Sequence, residues 1–278
     1  MNNFRTWLLM GLLTVLLVFA GQLIGGNRGM LFMLVFSVIM NFSGYWWSDK
    51  IALAMTHSRP VSETQAPELY EIVGDLSQRA ELPMPRIYIT PSAQPNAFAT
   101  GRNPEHAVVA VTEGLMQILS KEEIEGVLGH ELAHVKHRDI LIGSMAAMMA
   151  GAISALASIA RWGLIFGRDD EDGAFGLIGT IATIIVMPIA AMLVQLAISR
   201  SREYGADEAG AKIAGRPDGL VSALLKLERG AKAIPMNVSP AASHMFIVNP
   251  LSSGAGLANL FSTHPPIAER VARLKRSQ

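Results

Sequence analysis

Long apolar blocks alternate along this chain with stretches of ordinary polar patterning. Four blocks, residues 7–25, 30–47, 140–166 and 174–199, are long and apolar enough to cross about 30 Å of hydrocarbon, which takes roughly 20 helical residues. The last two are rich in Ala, Gly and Met, as in helices that pack closely on each other. Arg5 followed by Val18-Phe19-Ala20 has the look of a cleavable leader, but the apolar run continues through Leu23 and Ile24. A retained anchor is therefore expected.

Between the blocks the periodicity changes. Residues 67–79 place Leu69, Ile72, Val73 and Leu76 on one face, which predicts an amphipathic helix. "RIYIT", residues 86–90, is β-branched and aromatic and predicts a strand. "NAFATG" (96–101) and "HAVVAVT" (106–112) follow with turn residues between them, so a small sheet is expected here. Ser120 and Glu123 form a capping box opening a helix that carries Ile124, Val127 and Leu128. "SREYGADEAGAKIAG" reads as a helix continuing from the fourth block, and residues 233–263 read mostly as loop.

Half of the 278 residues are hydrophobic and 17% are charged, with a mean hydropathy of +0.33. That is too apolar for an ordinary soluble enzyme. With a formal net charge of zero nothing points to nucleic acid, and no nucleic-acid partner is expected. The chain has no cysteine, so any transition metal must be held by histidine and carboxylate. Lys50, Arg59, Arg79 and Arg86 follow the second block, and Arg200, Arg202, Lys212 and Arg216 follow the fourth. This bias predicts that both following segments face the cytoplasm.

The fold class expected is mainly α: four transmembrane helices plus a split cytoplasmic α+β domain with a small β-sheet. Residues 1–47 and 140–199 form two membrane hairpins, and 48–139 and 200–278 form the two halves of the cytoplasmic domain.

The chemistry sits in "GHELAHVKHRD", residues 129–139. His130 and His134 share a helical face, so both can turn nitrogens toward one ion. Glu131 lies about 100° round from His130 and reaches the same space without being a ligand. Zinc suits such a site, and a catalytic zinc needs a third protein ligand. Glu203 is the candidate, with Asp207 four residues on available to hydrogen-bond a ligand histidine. Two spans, an even number, separate His134 from Glu203, so both emerge on one side of the membrane. The plainer alternative is a pair of histidines at a helix C-terminus, beside Lys136, His137 and Arg138.

"HELAHVKHRD", two apolar spans, "SRSREYGADEAGA", "PNAFATG" and "STHPPIAERVARL" together resemble the HtpX family of bacterial membrane zinc metalloproteases. That family is distantly related to the CAAX prenyl proteases. The resemblance covers nearly the whole chain. It implies one zinc ion per chain on His130, His134 and Glu203, with Glu131 as catalytic base. It further implies that Asn96 holds substrate backbone beside an edge strand, that His264 steadies the oxyanion, and that Arg270 pairs with Asp207. His57, His106, His137 and His244 are expected to be structural. The implied location is the bacterial inner membrane, with the site facing the cytoplasm. Membrane-protein or unfolded polypeptide substrates and a role in envelope quality control are implied as well.

Rival readings are weaker on the residues. An intramembrane zinc protease carries its motif inside a span, whereas "SKEEIEG" precedes this one. Four spans are few for a prenyl-peptide chamber. A scaffold with a degenerate metal site would not need Glu131.

Overall fold

The computed structural model describes residues 2–146, 200–236, 238, 242–251 and 265–276. The first helical stretch, α1 (Asn2–Met55), leaves helical geometry at Gly25, Gly26 and again at Trp47. Gly26 has φ of 56°, a conformation only glycine adopts freely, and the chain folds back there into a hairpin. The two arms meet at Gly21 and Gly29, where a Cβ on Gly21 would lie 2.4 Å from the Gly29 carbonyl oxygen. Further along, Trp7 stacks on Tyr45, and the Asn41 amide donates to Met10 O and Thr14 Oγ1.

These arms correspond to the first two predicted spans. Residues Gly25–Met55 are long and apolar enough to cross a membrane, while Thr6–Gln22 is a shorter apolar helix. Of the predicted span 140–166, only 140–146 lies within the described residues, and it is helical. The remainder, and the predicted span 174–199, lie outside the described residues.

The polar segments fold as their periodicity predicts. Helix α2 (Pro67–Ala80) buries Leu69, Ile72, Val73 and Leu76, each contributing about 1.5–3 kcal/mol as an upper estimate. Strands β1 (Arg59–Pro60), β2 (Arg86–Thr90), β3 (Ala97–Thr100) and β4 (Val108–Thr112) form one sheet in the order β1-β2-β4-β3. The pairing of β2 with β4 is parallel and the other two pairings are antiparallel.

All five residues of β4 are buried, because the sheet is covered on both faces. Ile87, Ala97, Val109 and Val111 join the helical core. Phe98, Val108 and Ala110 instead pack on Ala52, Leu53 and Phe246, so the end of α1 roofs the other face.

A short α3 (Glu113–Ile118) leads to α4 (Lys121–Lys136), which opens with the expected Ser120–Glu123 capping box. Beyond the undescribed stretch come α5 (Arg200–Ala214), α6 (Asp218–Ala233) and α7 (Ile267–Arg276). Helix α6 is an element beyond those predicted. It buries Leu220, Val221, Leu224 and Leu227 at helical spacing.

Candidate metal centre

Helix α4 carries His130, Glu131 and His134, and α5 carries Glu203 and Asp207. Two glycines set the distance between these helices. A Cβ on Gly210 would lie 2.6 Å from His130 Cα, and one on Gly129 would lie 2.7 Å from the Gly210 carbonyl oxygen. With no side chain between them the backbones touch, and the carboxylates of α5 reach the imidazoles of α4.

The result is a convergent donor set in which His130, His134 and Glu203 each offer one ligand atom, all within 4.8 Å of one another. The two histidine Nε2 atoms are 3.2 Å apart. Glu203 Oε2 lies 3.8 Å from His130 Nε2, and Oε1 lies 3.6 Å from His134 Nε2. These separations approach the roughly 3.3 Å between neighbouring ligands on a tetrahedral ion with bonds of about 2.0–2.1 Å. The donor chemistry therefore fits a borderline divalent ion such as zinc.

Carboxylates hold both rings from behind. His130 Nδ1 is 2.9 Å from Asp207 Oδ1, and His134 Nδ1 is 3.3 Å from Asp139 Oδ2. A donated Nδ1–H fixes the tautomer that leaves Nε2 as a free donor to metal. Arg270, fully buried, in turn grips Asp207 with two hydrogen bonds of 2.9 and 2.6 Å. The Asp207–Arg270 pairing implied by the family resemblance is thus present. Asp139 is an unpredicted member of the site. It comes within reach of His134 because α4 ends at Lys136 and Arg138 takes φ of 59°, turning the chain so that the Asp139 N–H caps the His134 carbonyl at 2.9 Å.

The charge environment is arranged for a cation. Burial opposes the charged form of Asp207, but Arg270 and His130 overcome it and hold the carboxyl down at about 2. Burial, with Arg270 nearby, lowers His130 to about 4, leaving a neutral imidazole ready to ligate. Burial would lower His134 too, yet the Asp139 hydrogen bond and the charges of Glu203 and Glu131 raise it to about 9. Burial, reinforced by Glu203 and opposed by His134, raises Glu131 to about 7, while the Ala99 N–H stabilises its carboxylate.

These side chains border a cleft of about 60 Å³, lined also by Ala99, Ser144, Arg202 and residues 244–247. His244, expected to be merely structural, stands in this wall with Nε2 3.0 Å from the Gly143 carbonyl oxygen. No spacing rule links it to the motif more than a hundred residues earlier.

Asn96 differs from expectation. It is fully buried; its Nδ2 donates to Val248 O at 2.7 Å and its Oδ1 accepts from Val248 N–H at 3.3 Å. Ile247 N–H donates to Ala97 O at 3.0 Å. The side chain expected to hold substrate here holds the chain's own backbone, and the outward-facing position left on β3 beside Glu131 is Ala99. His264 lies outside the described residues.

The sequence profile of peptidase family M48 matches residues 63–278. A protease HtpX homolog of Pelotomaculum thermopropionicum is 59% identical over 277 residues, covering 99% of this chain and 98% of that protein. One from the archaeon Thermococcus kodakarensis is 56% identical, covering 98% and 94%. A crystal structure of S. mikatae Ste24p aligns over 95% of this chain with a TM-score of 0.52 at 18% identity, a likeness of fold. The chain spans 62% of that structure's length. With a profile match over most of its length and relatives similar from end to end, the chain belongs to peptidase family M48.

Proposed function

We propose that this chain is an integral-membrane zinc endopeptidase that hydrolyses peptide bonds in misfolded or damaged membrane proteins at the cytoplasmic face, in bacterial inner-membrane quality control. The observation carrying the reading is the convergence of His130, His134 and Glu203 beside the buried carboxyl of Glu131 in one cleft. Membrane insertion through four spans draws support, for the first two of them, from the outer surface of α1. Phe4, Trp7, Val15, Phe19, Leu31, Phe32, Val35, Val38 and Ile39 are all exposed, an apolar area that water does not tolerate.

His130, His134 and Glu203 are the zinc ligands in this proposal. Zinc held there supplies Lewis-acid polarisation of the scissile carbonyl and acidifies water. Glu131 accepts the proton of the attacking water as its oxygen bonds to the carbonyl carbon, then delivers it to the departing amine nitrogen. A carboxyl held near neutrality by burial is suited to both transfers. Asp207 and Asp139 hold the ligand rings, and Arg270 holds Asp207. At the edge of β3 the Ala99 N–H is held by Glu131, which leaves the Ala99 carbonyl to accept from an extended peptide, a partial strand addition. His264 is assigned to the oxyanion. Asn96 shapes the cleft by fixing Val248 beside that edge.

The test uses detergent-purified full-length protein. One zinc per chain, with casein cleavage abolished by a chelator and restored by zinc, is the expected result. Stoichiometric zinc with no cleavage of casein or of unfolded membrane-protein loops would reduce the centre to a structural role.

A further inference from the structure

Behind the metal centre a groove of about 250 Å³ opens between α5 and α7, against about 60 Å³ for the catalytic cleft. Asp207 stands in its wall, with Tyr204 and Glu208 on α5 and Arg273 and Arg276 on α7. The two helices run antiparallel along it. Arg270 meets Asp207, and about one turn further along α7 the Arg273 guanidinium lies over the Tyr204 ring, 3.7 Å from its centroid. Moving forward along α7 is therefore moving back along α5, which brings Arg276 level with the first turn of α5, where Arg200 stands. The fourth predicted apolar block ends at residue 199, so the basic end of α7 comes down beside the boundary of that block.

The charges around the groove do not cancel. Arg270 takes Asp207, and Lys212 takes Glu208 at 2.6 Å. Glu269 accepts from the Tyr204 phenol and lies 3.5 Å from Arg273. Arg200, whose charge acts on the Tyr204 phenol, and Arg276 form no ion pair among the described residues. Basic residues in a last helical turn ordinarily complement the helix dipole. That role requires neither a cavity nor a cation from a second helix, and both are present here. A guanidinium stacked on an aromatic ring also keeps its in-plane N–H groups available to an anion.

We propose that this groove binds the phosphate of an anionic phospholipid headgroup, held by Arg273 and Arg276, with Arg200 adding to the field. This inference rests on the membrane-embedded part of the reading above and not on the peptidase chemistry. The arginine fork matches phosphate oxygens, and a basic pocket at the cytoplasmic boundary is where such headgroups are presented. A headgroup seated there pins α7, whose Arg270 holds Asp207 and through it His130.

The test uses zinc-loaded full-length protein in neutral detergent, titrated with phosphatidylglycerol or phosphatidylcholine, with bound lipid counted by native mass spectrometry. Wild type should bind phosphatidylglycerol about tenfold or more tightly than phosphatidylcholine. Arg273→Gln/Arg276→Gln should bring the two lipids within about twofold of each other. Lys121→Gln/Lys232→Gln removes the same charge from exposed positions elsewhere and should keep the preference. Equal loss in both double variants would reduce the effect to diffuse attraction and overturn the site. Displacement of the lipid by glycerol phosphate at equal concentration would give the groove to a free phosphate ester, and displacement by an acidic peptide would give it to a polypeptide; either overturns the lipid assignment. Should the double arginine variant fail to fold, Arg276→Glu, at a position with no ion pair to lose, decides, and it should abolish the preference. Wild type released from membranes by an alkaline wash overturns the membrane reading. Wild type that stays in the membrane yet shows no headgroup preference overturns the groove alone.

Discussion

His130 and His134 each turn Nε2 toward Glu203 and Nδ1 toward an aspartate, so every ring nitrogen at the centre is committed. Metal must compete with the proton that Asp139, Glu203 and Glu131 stabilise on His134. Below about 9 that proton is bound and has to leave when the ion arrives. Zinc affinity is therefore expected to rise by about tenfold per pH unit from neutrality and to level off near that value. A titration with a competing chelator measures this, and an affinity flat between neutrality and the levelling point would contradict it. Asp139→Asn should weaken zinc by about 10–100-fold, the usual cost of removing a group that orients a ligand histidine. At this scale the His-Glu-x-x-His ligands were legible because the four-residue helical repeat alone sets their geometry. Asp139 was not, since its approach depends on a left-handed Arg138, a residue type that carries no signal for that conformation.

Helices α4 and α5 owe their spacing to Gly129 and Gly210, and the centre inherits its geometry from that contact. Gly210→Val puts side-chain atoms into the His130 backbone, so the helices must separate. We expect this variant to lose bound zinc by at least tenfold while keeping its helical content, as read by metal analysis and circular dichroism. Retained zinc would show that α5 adjusts by sliding. Arg270 ties α7 to α5 through Asp207 and to the 246–248 segment through the Ile247 carbonyl at 2.9 Å. Removing one partner of such a buried pair costs about 3–5 kcal/mol, so Arg270→Ala should lower unfolding stability by that amount. Elements with plain periodicity, such as α2, β2 and the capped start of α4, were legible in the sequence. The two-residue β1 is too short to leave a pattern, and the contact of residues 246–248 with β3 joins segments some 150 residues apart. That contact also explains why Asn96 could be placed at the cleft while its partner could not be foreseen.

Across the whole molecule, the end of α1 does two things at once. Its arms present an apolar surface outward, while Ala52 and Leu53 cover the sheet face carrying Phe98, which packs edge-on against Phe246 at 5.1 Å. The peptidase core is thereby fused to the apolar hairpin, which the proposed function makes its membrane anchor. The protein is expected to remain in the membrane fraction through high-salt and alkaline washes, which release proteins held only by charge. Release by either wash would contradict an integral anchor. His134 and Glu203 do come together, at 3.6 Å between Nε2 and Oε1, while the two spans predicted between them lie, beyond residue 146, outside the described residues.

The most direct test compares wild type with Glu131→Gln, following zinc content and casein cleavage together. The account predicts one zinc in both proteins and cleavage only by wild type, because the amide keeps the ligand set and cannot take the proton. A Glu131→Gln protein that still cleaves would remove Glu131 from the chemistry and contradict the account at its centre.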